Sequence, residues 1–297
     1  MFTRFVLCVL PLVYASSAAV HFSERVELGR VSSPVVNETS GLAASRVHPG
    51  IFYGHNDHGG MNRVFAMDPA TGEVKATLNI AGVQNYDWED VCVGTCGQGE
   101  SGSCLYIGEL GDHHGDGSLR LIYKVREPAV LQDTTLPLVD TLRFTWNEQD
   151  AESLMIDPSG DLYIISKLHG GDSLFAKLPR SGWGASTPVP IPSHDTVRLD
   201  LNTYSNDPQG ADLSPNGRML LVKEEHGLVF YAFSDNMNYV SELAGMRPTS
   251  VGTYVRRKSG EAVAWNVNGT GFYTLPEGEH QVFNFYTISG APDGLVG

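Results

Sequence analysis

Three glutamates, Glu89, Glu152 and Glu261, each open a short apolar run, and Asp87 and Asp150 stand two residues ahead of the first two. Earlier in the chain Glu38 holds the same relation to Ser40, which, like Gly210 further on, takes the glutamate's place in a similar run. Asp90 follows Glu89 directly. Side chains alternate across a strand with period two, so in extended chain each such pair points to one face. Carboxylates gathered at one point cannot all stay ionised unless their pKa values rise or a cation joins them. Oxygen donors of this kind suit Ca²⁺, whereas imidazoles joining the set would favour Zn²⁺ or Mn²⁺. Glu38, Asp87, Glu89, Asp90, Asp150, Glu152 and Glu261 are therefore the candidate cation ligands. Histidines recur in Gly-rich turns as Asn56-Asp57-His58-Gly59, Asp112-His113-His114-Gly115, His169-Gly170, His226-Gly227 and His280. Of these, His58, His113 and His169, together with Glu89 and Glu152, are the candidates for moving protons or acting beside the cation.

These residues gain their meaning from a repeat that must position them. Five segments share one plan: a small or acidic opening, an apolar run, a turn, a Tyr/Leu-rich run, a polar turn with His, and a third apolar run. The third copy is the clearest, running from Glu152 to Ile156 through Pro158-Ser159-Gly160 and Leu162–Ile165 to Leu174–Leu178. Pro-Asn-Gly at 215–217 and Val-Asn-Gly at 267–269 mark the same turn in two further copies, since Asn and Gly accept the positive φ that tight hairpins require. Short strands repeated every 50 to 60 residues or so predict antiparallel sheets arranged radially. The fold class expected is therefore all-β: a single β-propeller of five blades, with a sixth possible in the irregular stretch 183–204. Fourth strands are expected at 75–80 and 141–146, and the run 26–31 could add the outer strand of the last blade and close the ring. Closure removes exposed sheet edges. Strand direction alternates, so the His-bearing turns lie at the same end as the acidic openings, and the two sets converge on one channel mouth.

The rest of the composition bounds the reading. Arg4, the apolar run 5–14 and Ser17-Ala18-Ala19 read as a signal peptide over residues 1–19, leaving 20–297 as the propeller domain and an exported, extracellular protein. No later run is apolar and long enough to cross a membrane. The net charge of −14 argues against nucleic acid as a partner, because a phosphate backbone would be repelled. In an oxidising compartment Cys96 and Cys104, which bracket a Gly/Ser-rich hairpin tip, should pair, leaving Cys92 as a buried free thiol. Asn37 and Asn268 lie in glycosylation sequons. Gly-x-Ser-x-Gly, His-Glu-x-x-His and phosphate-cradling Gly-rich loops are absent, which leaves serine-triad and nucleotide-dependent chemistry without local support.

Taken together, Ser40-Gly41-Leu42-Ala43-Ala44-Ser45-Arg46 with His55-Asn56-Asp57, Asp87-Trp88-Glu89-Asp90, Leu105-Tyr106-Ile107-Gly108 before Gly111-Asp112, and Gly260-Glu261-Ala262-Val263-Ala264-Trp265 resemble a family of exported, largely uncharacterised bacterial β-propeller proteins. The resemblance covers nearly the whole of 20–297 and implies a fold and an address, with no set reaction. This chain departs from the family where His113-His114 replaces an Asp-Asn pair and where the cysteine-flanked insertion occurs. By fold analogy, five-bladed propellers include Ca²⁺-dependent nucleotidases and glycosidases, and six-bladed ones Ca²⁺-dependent lactonases. The expected function is a secreted, monomeric, metal-dependent hydrolase or lyase acting at the channel mouth on a small molecule or glycan. The alternative is a non-catalytic propeller that binds a glycan or protein.

Overall fold

The computed structural model describes residues 20–97, 99–112, 120–148, 150–167, 173–201, 207–234, 237–256 and 260–290. Five mainly antiparallel sheets succeed one another along the chain, and each begins with an innermost strand: Thr39–Ala44, Trp88–Thr95, Ala151–Ile156, Pro208–Leu213 and Ala262–Trp265. Each innermost strand lies against the next, and the fifth returns to the first, so the sheets form a closed five-bladed propeller.

Alternation along the inner strands builds the core. Val91 and Val93 face blade 1 and join Tyr53, Val64 and Leu78, whereas Cys92 faces blade 3 and joins Leu154, Ile156 and Ile164. Met155, between those two, turns to blade 4 and meets Ala211 and Leu220. Each of the five apolar clusters is thus a layer between two neighbouring blades. That is why a strand buried on both faces reads as a continuous apolar run. Trp88 and Trp265 are buried wedges in these layers.

The outer strands complete the blades. Glu73–Ile80 pairs with Arg63–Asp68 and Leu138–Thr145 with Leu121–Arg126, which contain the expected fourth strands. The stretch 183–204 makes no sixth blade among its described residues. It lends Val189–Pro190 to the edge of blade 2 and Thr196–Arg198 to the edge of blade 3. Val26–Arg30 pairs with Val282–Ser289, the third strand of blade 5, so a segment ahead of blade 1 closes the ring. It lies so close to blade 1 that a Cβ on Gly72, at φ 76°, would meet the Arg30 carbonyl oxygen at 1.8 Å. Cys96 and Cys104 form a disulfide at the tip of blade 2, and Cys92 is a buried free thiol. Among the described residues no helix is long and apolar enough to cross a membrane.

Candidate metal centre at the channel mouth

A bulge opens the inner strand in four blades. In blade 2 the pairing steps from Trp88 opposite Glu109 to Asp90 opposite Gly108, leaving Glu89 over. Blade 3 steps from Ala151 to Ser153 and leaves Glu152, and blade 4 steps from Pro208 to Gly210 and leaves Gln209. In blade 1 the shift falls between Thr39 and Leu42, around Ser40, and in blade 5 Glu261 directly precedes the first paired residue, Ala262. A bulge re-aims the extra side chain. The equivalent positions are therefore Ser40, Glu89, Glu152, Gln209 and Glu261. The fourth is Gln209 rather than the expected Gly210: with Pro158-Ser159-Gly160 matched to Pro215-Asn216-Gly217, Gln209 falls opposite Glu152, and both blades carry the same bulge.

One carboxylate oxygen from each of Glu89, Asp150 and Glu152 lies within 4.8 Å of the others, a grouping that could hold a metal ion. Asp57, His58 and Asp87 form a second such group. The two adjoin at Asp87 and Glu89: a Cβ on Gly111 would lie 2.1 Å from Glu89 Oε1 and 2.2 Å from Asp87 Oδ2, so a larger residue there would push both carboxylates aside. Burial is the first cause of the raised pKa of Glu89, followed by the charges of Glu152, Asp57, Asp87 and Asp150. Burial likewise lifts Asp150, Glu152, Glu261 and Glu277, with neighbouring carboxylates adding to the effect. Against this stands Lys167, whose ammonium pairs with Glu152 and also faces Asp150 and Glu89. Oδ1 of Asp57 and Oδ1 of Asp150 are buried without a hydrogen-bond partner.

The other candidate residues fall elsewhere. Asp90 is buried one residue deeper in the channel, where its carboxylate accepts from Val91 N at 2.8 Å and, across the blade boundary, from Leu154 N at 2.9 Å. It stitches blade 2 to blade 3. Asp212 does the same between blades 4 and 5 by accepting from Trp265 N at 2.8 Å. The Glu38 side chain is exposed, and its carbonyl accepts from Asp57 N. Glu261 joins Glu277, in side-chain hydrogen-bond reach, at the side of the mouth nearest blade 1. His58 stands at the rim with Nδ1 3.3 Å from Asp57 Oδ2. His280 is tied to the Val31 carbonyl in the ring closure, away from this chemistry. His113 and His169 lie outside the described residues.

Several members of the site carry no sequence signal of their own. Glu109 accepts from Tyr86 N and Asp87 N at 3.2 and 2.6 Å, fixing the turn that presents Asp87, and burial pushes its carboxyl up to about 7. Lys223, buried beside Gln209 Oε1 at 3.2 Å, is held down to about 8 by the same loss of solvent. Lys167 and Glu277 stand at the ends of second strands or just past them, and only the ring brings them to the acidic openings.

No family model matches the chain, and no curated protein matches it. Among solved structures, the PQQ-bound aldose sugar dehydrogenase of Streptomyces coelicolor is similar over 92% of this chain and 99% of that one, with 10% identity and a TM-score of 0.53. Hydrazine synthase of Kuenenia stuttgartiensis is similar over 80% of each chain, with 12% identity and a TM-score of 0.43. At such identities the likeness to the dehydrogenase is one of architecture, and it agrees with the ring of antiparallel sheets: the chain is an all-β propeller.

Proposed function

We propose that the protein is an exported, metal-dependent propeller enzyme, a hydrolase or lyase working as a monomer on a small molecule or glycan at the acidic channel mouth, with Ca²⁺ held by Glu89, Asp150 and Glu152. The observation that carries this reading is the convergence of those three largely buried carboxylates within 4.8 Å. Desolvated like charges so close together favour a cation or retained protons. Hard oxygen donors point to Ca²⁺ before Zn²⁺ or Mn²⁺. A bound cation would polarise a carbonyl, carboxylate or phosphoryl oxygen of the substrate. His58, exposed at the rim beside Asp57, is the described histidine placed to move a proton there, and His113 and His169 complete the proposed acid–base set. The disulfide suits the oxidising compartment to which residues 1–19 would direct the chain. The PQQ of the dehydrogenase is not carried over, because a likeness at 10% identity extends to the architecture alone.

A second reading, a non-catalytic propeller binding a glycan or protein, is favoured by one observation: Lys167 already supplies a positive charge to Glu152. Dialysis against a chelator, metal analysis and calcium titration test the metal, and turnover separates the two readings, since the binding propeller expects ligand binding with none. The enzyme reading expects Ca²⁺ to bind and to raise the melting temperature. It also expects Glu152→Gln to weaken binding roughly tenfold or more, since ligand charge tunes Ca²⁺ affinity over decades, and to abolish turnover of whichever substrate a panel of esters, phosphoesters and glycosides reveals. A metal-free protein with an unchanged melt in Ca²⁺, Zn²⁺ and Mn²⁺ rejects it.

A further inference from the structure

We propose that Lys167 is a built-in competitor for the cation site, its ammonium occupying the Glu89–Asp150–Glu152 cluster until a divalent ion displaces it. The inference rests on the metal reading above and adds the residue that sets its affinity. Backbone geometry fixes where the lysine starts: its N–H donates to the Asp150 carbonyl at 2.9 Å, opposite the bulge that carries Glu152. From there the side chain pairs with Glu152, and the carboxylates acting most on its ammonium are Glu152, Asp150 and Glu89, the three that form the candidate site, with Glu261 also in range. A divalent ion placed among them would share ligands with the ammonium at contact distance, where two positive charges repel strongly in a partly desolvated site. Both cannot stay.

Lys167 is able to leave. Its side chain is 26% exposed, against 3% for the Glu152 it pairs with. A flexible four-carbon stem lets the ammonium swing to water at the mouth. Lys223, another cation of the mouth beside Arg120, which acts on Asp150, differs on both counts. It is 1% exposed and donates to Gln209 Oε1 and the Glu224 carbonyl, which hold it in place. Occupancy by the lysine lowers apparent metal affinity by the fraction of molecules in which the cluster is open. The same exchange frees an amine beside the bound ion.

Two measurements test this on the whole secreted protein. The first is calorimetric titration of wild type, Lys167→Met and Lys167→Gln with CaCl2. The proposal expects both variants to bind about tenfold or more tightly. The second is acylation of wild type with an amine-reactive ester, read by mass spectrometry, with labelling of Lys167 rising at saturating Ca²⁺ and that of Lys223 unchanged. Equal or weaker binding by the variants while wild type binds Ca²⁺, or labelling of Lys167 that Ca²⁺ leaves alone, overturns the proposal and spares the metal site. Absence of binding by wild type and variants alike overturns the metal reading and the competitor role with it. The labelling experiment needs no variant to fold.

Discussion

Asp87, Glu89 and Asp90 are separated by at most two residues, yet they do three different things. Asp87 is presented by a turn whose Tyr86 and Asp87 N–H groups donate to Glu109, Glu89 is thrown inward by a bulge, and Asp90 is spent on the backbone of the next blade. The difference is testable by substitution. Asp90→Ala leaves the Leu154 N–H buried without its acceptor, a loss of about 1–3 kcal/mol. The expected outcome is a lower denaturation midpoint with calcium affinity retained in the folded protein. A fall in affinity with stability unchanged would make Asp90 a ligand instead. Glu152→Gln is the mirror case, with binding impaired and the inner strand intact.

At the scale of the element, each blade depends on devices outside its three recognisable strands. The disulfide staples a loop of eight residues' separation at the tip of blade 2, where Arg126 also reaches Glu100 at 3.0 Å. Closing so short a loop restricts the unfolded chain modestly, and Cys96→Ser with Cys104→Ser should cost about 2 kcal/mol, read as a shift in the urea midpoint without change at the mouth. The segment Val26–Arg30 contributes more, because it supplies an outer strand to blade 5 while resting on the Gly72 turn of blade 1. A chain begun at Val31 would leave the edge Val282–Ser289 unpaired, and such edges recruit other chains. Aggregation on size-exclusion chromatography is expected, and a stable monomer would show that closure by this strand is dispensable.

Over the whole molecule, the ring concentrates buried acid on its axis, and this gives stability a definite pH dependence. Burial raises Glu89, Asp150, Glu152, Glu261 and Glu277 above the ordinary carboxylate range, with Glu109 and Asp212 at about 7. A carboxyl that holds its proton more tightly folded than unfolded stabilises the fold below its unfolded pKa, and that contribution is lost as pH rises through the folded value. The window therefore runs from about 4, the unfolded carboxylate value, to about 8, where Glu152 and Glu261 lie. Metal-free protein should melt higher at pH 5 than at pH 8, and saturating Ca²⁺ should narrow or reverse the gap, because a cation favours the ionised carboxylates. A metal-free melt that climbs from pH 5 to pH 8 would contradict this.

The five-bladed plan was legible in the chain because each blade buries both faces of its inner strands, which forces apolar runs, and each hairpin needs Gly or Asn at a set place. Fourth strands, the Cys96–Cys104 pair and closure by residues 26–31 followed from that repeat. The bulges did not, since an added residue leaves no mark in composition. Nor could the sequence tell Glu89 from Asp90: both are acids at the start of one strand, and only neighbouring strands decide which meets a backbone N–H. Lys167 and Glu277 were invisible for the same reason. Local pattern fixes how each sheet forms, whereas the company a side chain keeps at the axis depends on five sheets meeting, and that is settled only when the ring closes.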